Sequence, residues 1–390
     1  MSETEIPNPT GNNSQWTVSG LTEGYYLVVA YEKASNATDF TKAPKLIAAT
    51  TNISITEKND YPKIKKEQKE TTAEAYAHSN LKVKVGDTIN YKVTVDVPAN
   101  ADMVIHVTDT MSAGLTYDPN SMLIQVGNGT AAATNENVTA VAKQSGDTFT
   151  WKYDIAANDN TRGKTVVFTF NGIVNKDAIV DTGKQNEVEL VYGNTDYRIP
   201  DHVDYEIYAT GALKYDGATA DVGDGNVLTA KEGKQIKPLD GAHFKLQVKV
   251  GSADWADLPV IKDGDYYRPL DPNAATAETA QDIVTPANGE IVLRGLDQEN
   301  QYRLVETQAP SGYNLMNPAE TSALSLVQDT KTGTPVAITD PYQLKIANNQ
   351  GTELPHTGGI GTTLFYVGGG ILVLLAIVML VTKKRMKAED

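Results

Sequence analysis

The chain has 390 residues, a formal net charge of −15 and no cysteine. This length allows about two or three domains of ordinary size. The negative net charge argues against a nucleic-acid partner and predicts a well-solvated surface. Without cysteine, no disulfide can cross-link the domains. Its 19 tyrosines, its frequent valine and threonine and its few long helical patterns favour β-sheet.

Residues 1–62 are predicted to be the C-terminal part of an N-terminal domain. Strands are expected at 15–18, 25–31 and 45–55, which are too few to close a sandwich by themselves. Met1 opens a polar stretch that lacks the basic start and apolar core of a signal peptide. Because the opposite terminus carries an export-dependent signal, we expect the chain to be a fragment or its start to be misassigned.

Residues 63–205 are predicted to form a middle β-sandwich, because apolar residues alternate with polar ones at period two. Two strands show the alternation on one face: Ile89, Tyr91, Val93, Val95 and Val97 on the first, and Phe149, Trp151, Tyr153 and Ile155 on the second. Further strands are expected at 103–109, 165–173 and 186–192, and a brief helix at 71–79.

A boundary near 204–211 precedes a second predicted sandwich over residues 206–353. Short apolar runs at 213–215, 243–250, 266–268, 290–294, 302–306 and 343–347 are separated by turn-forming Gly, Pro, Asp and Asn. The expected fold class is therefore all-β, with tandem immunoglobulin-like sandwiches.

Residues 354–390 form a three-part terminus. Leu354-Pro355-His356-Thr357-Gly358 precede an apolar run over about 364–381, and a cationic cluster, 383–385, follows. An apolar segment of this length can cross a bilayer as one helix, and the cations hold its end on the cytoplasmic side. The rest of the chain is then predicted to lie outside the cell.

This terminus resembles the LPxTG sorting signal of Gram-positive surface proteins, in which Leu354 and Pro355 would open the signal. The resemblance implies that a sortase cysteine cleaves between Thr357 and Gly358, holds the threonine as a thioester and passes it to an amine. The membrane insertion is then transient, and the mature protein is anchored in the cell wall.

The segment 302–313, Tyr-Arg-Leu-Val-Glu-Thr-Gln-Ala-Pro-Ser-Gly-Tyr, resembles the E-box of pilin and collagen-adhesin B-type domains. The segments 239–246 and 214–216 resemble other strands of that family. The resemblance implies a spontaneous isopeptide bond between Lys214 and Asn348, with Glu306 as the acid/base. Burial would favour a neutral amine and a protonated carboxyl, so that the amine can attack an amide that the acid polarises.

The middle domain carries a second set of similar motifs. The segments 107–117 and 186–192 resemble the D-T-x-S-x-G-L-T-Y and N-x-x-x-L-x-Y segments of pilin middle domains. In those domains an aspartate replaces the glutamate, which here implies Asp109.

The partners of Asp109 leave alternatives open. The resemblance implies Asn186 as the acceptor, with Asn194 as the second choice. The donor lysine should lie upstream of the strand that begins near residue 88. We expect Lys66, with Lys65 in reserve.

Tyr61-Pro62-Lys63 stands at the junction of the first and middle domains. It resembles the Y-P-K core of the pilin motif, whose lysine supplies the amine that resolves the sortase thioester. Proline fixes its own dihedral and removes a backbone donor, which favours an extended and presented lysine. The longer family pattern upstream of this tripeptide is not evident.

The main functional hypothesis is the major backbone subunit of a covalent, sortase-assembled pilus. Its partners would be sortase, identical subunits, tip and base pilins, and peptidoglycan. The alternative is an ancillary or wall-anchored adhesin that binds a host surface ligand. An enzyme with an external substrate is disfavoured, since the five histidines are scattered and no cofactor, metal or nucleophile spacing is evident.

Overall fold

The structure is a computed structural model that describes residues 20–28, 45–49, 61–133, 139–141, 148–192, 197–274, 276–330, 332–351 and 371–380. The predicted strand at 15–18 lies outside these ranges. So do Asn194 and the sorting-signal residues Leu354, Pro355, Thr357 and Gly358.

The first described element is an antiparallel hairpin. It consists of β1 (Gly24–Val28) and β2 (Lys45–Ala49), in which Gly24 pairs with Ala49. β2 falls inside the strand predicted at 45–55, and β1 begins one residue before the strand predicted at 25–31.

The middle region is built from short and medium strands, antiparallel except for Leu81–Lys82, with a 3-10 helix at Lys176–Ile179. The strands are β3 (Lys63–Glu70), β4 (Leu81–Lys82), β5 (Thr88–Asp96), β6 (Ile105–Met111), β7 (Leu115–Tyr117), β8 (Leu123–Val126), β9 (Ala132–Ala133), β10 (Thr139–Val141), β11 (Phe149–Ile155), β12 (Thr165–Val174) and β13 (Gln185–Tyr192).

Two sheets enclose the core of this region. One has the order β3-β5-β12-β8-β9, and the other contains β10-β11-β6-β13. In β5 and β12 buried residues alternate with partly exposed ones, as the period-two pattern predicted. Trp151, Phe168 and Phe170 pack together at the centre, with ring centroids 5.3–5.4 Å from Trp151.

The predicted helix at 71–79 is wrong. That segment forms turns and bends, because Gln68 and Ala77 exchange two backbone hydrogen bonds of 2.9 Å in an isolated bridge. This pairing outweighs the local helix preference of the alanines and glutamate.

Strand β14 (Tyr197–Asp216) is 20 residues long and runs without interruption through the predicted boundary. Its first part pairs with β13 up to Asp204, and its second part pairs with strands of the C-terminal region from Ile207 onward. The two regions therefore share one strand, and the Val85 amide adds a 2.9 Å hydrogen bond to the Gly295 carbonyl across their junction.

The C-terminal region is a second, mixed β-sandwich, with a 3-10 helix at Asp224–Asn226. Its strands are β15 (Ala220–Val222), β16 (Leu228–Ala230), β17 (His243–Lys249), β18 (Ala256–Asp257), β19 (Val260–Asp263), β20 (Tyr266–Pro269), β21 (Ile283–Val284), β22 (Glu290–Leu296), β23 (Gln301–Gln308), β24 (Val327–Asp329) and β25 (Gln343–Asn348).

In this region β14 forms a sheet with β22, β20, β19, β24 and β25, and β17 pairs with β18, β21 and β23 in the other sheet. Phe244, Leu293 and Ile346 belong to the core between them. The last strand, β25, runs parallel to β14. The predicted all-β class of tandem sandwiches is confirmed.

Residues 371–380 form an α-helix with exposed side chains. Within the described part of the chain, no helix is both long enough and apolar enough to cross a bilayer. The predicted span over 364–381 extends past both ends of this helix.

Candidate isopeptide sites

Three strands bring Lys214, Glu306 and Asn348 together inside the C-terminal sandwich. Lys214 Nζ lies 2.8 Å from Glu306 Oε1 and donates a hydrogen bond to Asn348 Oδ1. Asn348 Nδ2 donates to Glu306 Oε1 at 3.0 Å. All three residues are buried, and the side chains of Lys214 and Glu306 are fully enclosed, so water is excluded from the amine and the carboxyl group.

The register of the parallel pair β14 and β25 explains why Lys214 and Asn348 meet. Lys214 pairs with Ile346, and Asn348 lies two residues further along β25. Residues two apart on a strand point to the same face, so both side chains enter the core. Glu306 reaches them from β23 in the opposite sheet.

The surroundings of Lys214 are apolar, and they favour its neutral form. Its Nζ lies 5.3 Å from the ring centroid of Phe244. Burial lowers the pKa of Lys214, and the hydrogen bond to Glu306 opposes that shift only in part. A neutral amine is the nucleophilic form.

Two backbone groups complete this site. The Asn314 carbonyl accepts a 2.9 Å hydrogen bond from Asn348 Nδ2, and the Met316 amide donates a 2.7 Å hydrogen bond to Glu306 Oε2. Sequence reasoning missed both residues because they act through backbone atoms. Their position just after the E-box tyrosine is the one signal that could have indicated them.

The middle sandwich contains the second set. Lys66 Nζ on β3 donates a hydrogen bond to Asp109 Oδ2 on β6, and both side chains are 0% exposed. Asn186 on β13 pairs with Met111, while its neighbour Val188 pairs with Asp109. Asn186 is therefore the diagonal neighbour of Asp109 on the same face.

Lys65 does not enter this site. Its side chain is 61% exposed and pairs with Glu67 at 2.7 Å. Lys66 Nζ instead lies 5.5 Å from the ring centroid of Tyr91 and 5.4 Å from that of Phe170. Of the two lysines weighed from the sequence, the structure brings Lys66 to Asp109.

Burial shifts both ionisable groups of the middle set toward neutrality. It raises the pKa of Asp109 to about 6 although Lys66 opposes the shift, and it lowers the pKa of Lys66. Asn186 lies close enough to lower the pKa of Asp109, yet its amide makes no well-formed hydrogen bond to any described residue. The middle amide is thus held less firmly than Asn348.

Lys63 is the first residue of β3, and its side chain is exposed. The preceding Tyr61 stacks on Tyr197 with ring centroids 4.6 Å apart and meets Tyr192 edge-on at 6.5 Å. Pro62 is buried. The backbone before Lys63 is therefore fixed while its amine faces solvent.

Comparison with known proteins identifies two segments. Residues 225–341 match the SpaA prealbumin-like fold domain, and residues 347–388 match the LPXTG cell wall anchor motif. The chain is thus a cell-wall-anchored surface protein of Gram-positive type. The predicted resemblance to sortase-assembled major pilins is confirmed.

Individual relatives are distant or partial. The chain is 24% identical to the trypsin-resistant surface T6 protein of Streptococcus pyogenes serotype M6 over 244 residues, which are 59% of this chain and 40% of the relative. It is 37% identical to the fimbrial subunit type 1 of Actinomyces viscosus over 91 residues, which are 23% of this chain and 16% of the relative. The matched segments are therefore less than half the length of either relative.

Among solved structures, the 35 kDa C-terminal fragment of the major pilin GBS80 of Streptococcus agalactiae is similar, with a TM-score of 0.47 and 19% identity. The match covers 74% of this chain and 100% of that fragment.

Proposed function

We propose that this chain is the structural backbone subunit of a covalent surface pilus. Sortase would join Thr357 of one subunit to Lys63 of the next. Such a head-to-tail contact does not close on itself and so generates an open-ended fibre. One relative, from Actinomyces viscosus, is a fimbrial subunit, which agrees with this proposal.

The observation that carries the proposal is the pair of buried lysine–carboxyl–asparagine sets. In each set the neutral lysine Nζ would attack the asparagine Cγ. The new bond joins Nζ to Cγ, the bond from Cγ to Nδ2 breaks, and one amine proton passes through the carboxyl group to the departing ammonia. Glu306 and Asp109 would each act once, on their own chain, so the protein is not an enzyme that turns over.

The two cross-links would suit a subunit under tension. The C-terminal bond would join β14 to the last strand, β25, and the middle bond would join β3 to β13. Each link would bypass more than a hundred residues, since the sequence separation of Lys214 and Asn348 is 134. Axial force would then not unfold the bypassed strands.

Lys63→Ala tests the polymerisation step, with Lys65→Ala as its matched control. Both lysines are exposed and lie on the same strand, β3. We expect the ladder of very large, boiling-resistant species on the cell surface to collapse with Lys63→Ala and to persist with Lys65→Ala. An unchanged ladder in both variants would exclude Lys63, and the absence of any ladder in the wild type would favour the wall-anchored adhesin.

Intact mass tests the internal bonds separately. Each bond removes one ammonia, so the purified wild-type ectodomain should be lighter than its sequence mass by two ammonias. Chains with Glu306→Ala or Asp109→Ala should each be lighter than their own sequence mass by only one ammonia. A wild type at its full sequence mass would overturn the bonding proposal and leave the polymerisation test unaffected.

A further inference from the structure

A hydrogen-bond chain links the E-box tyrosine to the strand that carries Lys214. Tyr313 Oη donates to Asp216 Oδ2 at 2.8 Å and accepts from Lys237 Nζ at 2.9 Å. Asp216 is buried, and its other carboxylate oxygen accepts a 2.9 Å hydrogen bond from the Ala218 amide. Tyr313 is therefore tied to a fixed point on β14, two residues beyond Lys214.

The residue after Tyr313 contacts the reacting amide. The Asn314 amide donates to the Asn349 carbonyl at 3.1 Å, and the Asn314 carbonyl accepts from Asn348 Nδ2 at 2.9 Å. Since Asn348 Nδ2 also donates to Glu306, both of its hydrogens are held. This orients the carboxamide, whose oxygen accepts from Lys214 Nζ.

A cleft of about 510 Å³ opens beside this amide, and both Asn314 and Asn348 line it. A nitrogen that leaves Asn348 therefore starts in contact with the Asn314 carbonyl and at the wall of an open cleft. The middle site has no such support, because the amide of Asn186 makes no well-formed hydrogen bond within the described residues.

We propose that Tyr313 is a positioning residue for the C-terminal isopeptide reaction. By its bond to Asp216 it holds the Asn314 carbonyl in place, and that carbonyl keeps the leaving nitrogen of Asn348 turned toward the cleft. The attack of Lys214 Nζ on Cγ then proceeds from a fixed geometry, and ammonia departs into the cleft. This inference rests on the proposed bond between Lys214 and Asn348.

Tyr313→Phe removes the hydroxyl and keeps the ring. The matched control is Tyr267→Phe in the same domain, which removes hydrogen bonds to the backbone of Val284. Full-length chains recovered unfolded from inclusion bodies are refolded by dilution, and the branched tryptic peptide that contains Lys214 and Asn348 is quantified over time. Losing one positioning hydrogen bond to a charged group should slow its formation roughly tenfold, whereas Tyr267→Phe should leave the rate near that of the wild type.

Two further variants separate positioning from simple stabilisation. Asp216→Ala removes the acceptor of the Tyr313 hydroxyl and should slow the reaction as much as Tyr313→Phe does. In an Asn348→Ala background, where no bond can form, Tyr313→Phe should lower the melting temperature no more than Tyr267→Phe does.

An unchanged rate with Tyr313→Phe would overturn the inference, as would a larger melting-temperature loss than the control in the unbonded background. A wild type that never yields the branched peptide would instead refute the proposed bond itself. The two failures are therefore distinguishable.

Discussion

Replacing Lys214 by methionine and Glu306 by glutamine together would remove the proposed C-terminal bond without leaving a charge buried in the core. The bond would close a loop with a sequence separation of 134. Chain-entropy estimates for a loop of this length, with disulfides as the reference, give about 5 kcal/mol of stabilisation. For a domain of this size that corresponds to a fall in Tm of about 10–20 °C.

The single substitution Glu306→Gln should be more destabilising than the double one. It also removes the bond, and in addition it leaves the buried Lys214 without its carboxylate. Removing one partner of a buried ion pair costs up to about 3–5 kcal/mol. Deprotonation of Lys214 would lower this cost, because burial already lowers the pKa of Lys214. The expected order of stability is therefore wild type, then double variant, then single variant.

Calorimetry of the ectodomain, with intact mass recorded on each sample, measures this order. Relative to its own sequence mass, each variant should lack one ammonia fewer than the wild type does. The reasoning would be refuted if the double variant unfolded at the wild-type temperature, or if Glu306→Gln still lost the ammonia.

Three more outcomes are expected. Asp109→Asn should abolish the branched peptide that joins Lys66 to Asn186 while leaving the C-terminal one intact, and peptide mapping that still finds the middle branch would contradict the role of Asp109. The middle bond should form more slowly as the pH falls through about 6. The raised pKa of Asp109 is about 6, so below this pH Asp109 takes up a proton while Lys66 keeps its own, and no neutral amine is left. Refolding at a series of pH values measures this dependence, and a rate that does not change with pH would contradict it. Gly114→Ala should destabilise the middle domain by about 1–3 kcal/mol in thermal unfolding, since the added Cβ would overlap Tyr205 Oη and lie 2.6 Å from Ala178 Cα. The control Gly223→Ala should cause almost no change, because its Cβ would meet only a carbonyl oxygen at 3.8 Å.

Much of the fold could be predicted because apolar and polar residues alternate along half-buried strands. The same logic bears on the choice between Lys65 and Lys66: residues two apart on a strand share a face, so Lys66 lies on the side of Ile64, and Lys65 on the solvent side. Ile64, the one apolar residue of β3, therefore favours Lys66 as the lysine on the core side.

What could not be predicted depends on long-range or backbone contacts. Local preference favoured a helix at 71–79, but the pairing of Gln68 with Ala77 overrides it. The continuity of β14 has no sequence signal, because each half is specified by different partner strands. Asn314 and Met316 act through a carbonyl and an amide, and every residue except proline carries both groups.

In the proposed fibre, the force path between Lys63 and Asn348 would contain one long segment that neither cross-link bypasses. The covalent route from Lys63 would cross from Lys66 to Asn186, follow the chain to Lys214 and cross again to Asn348. The segment between the links contains the hairpin of β13 and β14, in which Asn186 lies opposite Val203.

Force applied at the two ends of that hairpin would open it pair by pair and would also separate β13 from β6, whereas β14 beyond Val203 is flanked by β22 and β25 and would be loaded in shear. Freeing the residues between Asn186 and Val203 would lengthen the subunit by about 50–60 Å, at about 3.3–3.6 Å per residue. Single-molecule pulling should show one step of this size. A cysteine pair replacing Glu187 and His202, which lie opposite each other, should abolish that step when oxidised and restore it when reduced. Longer steps in the wild type would mean that at least one cross-link does not carry the force.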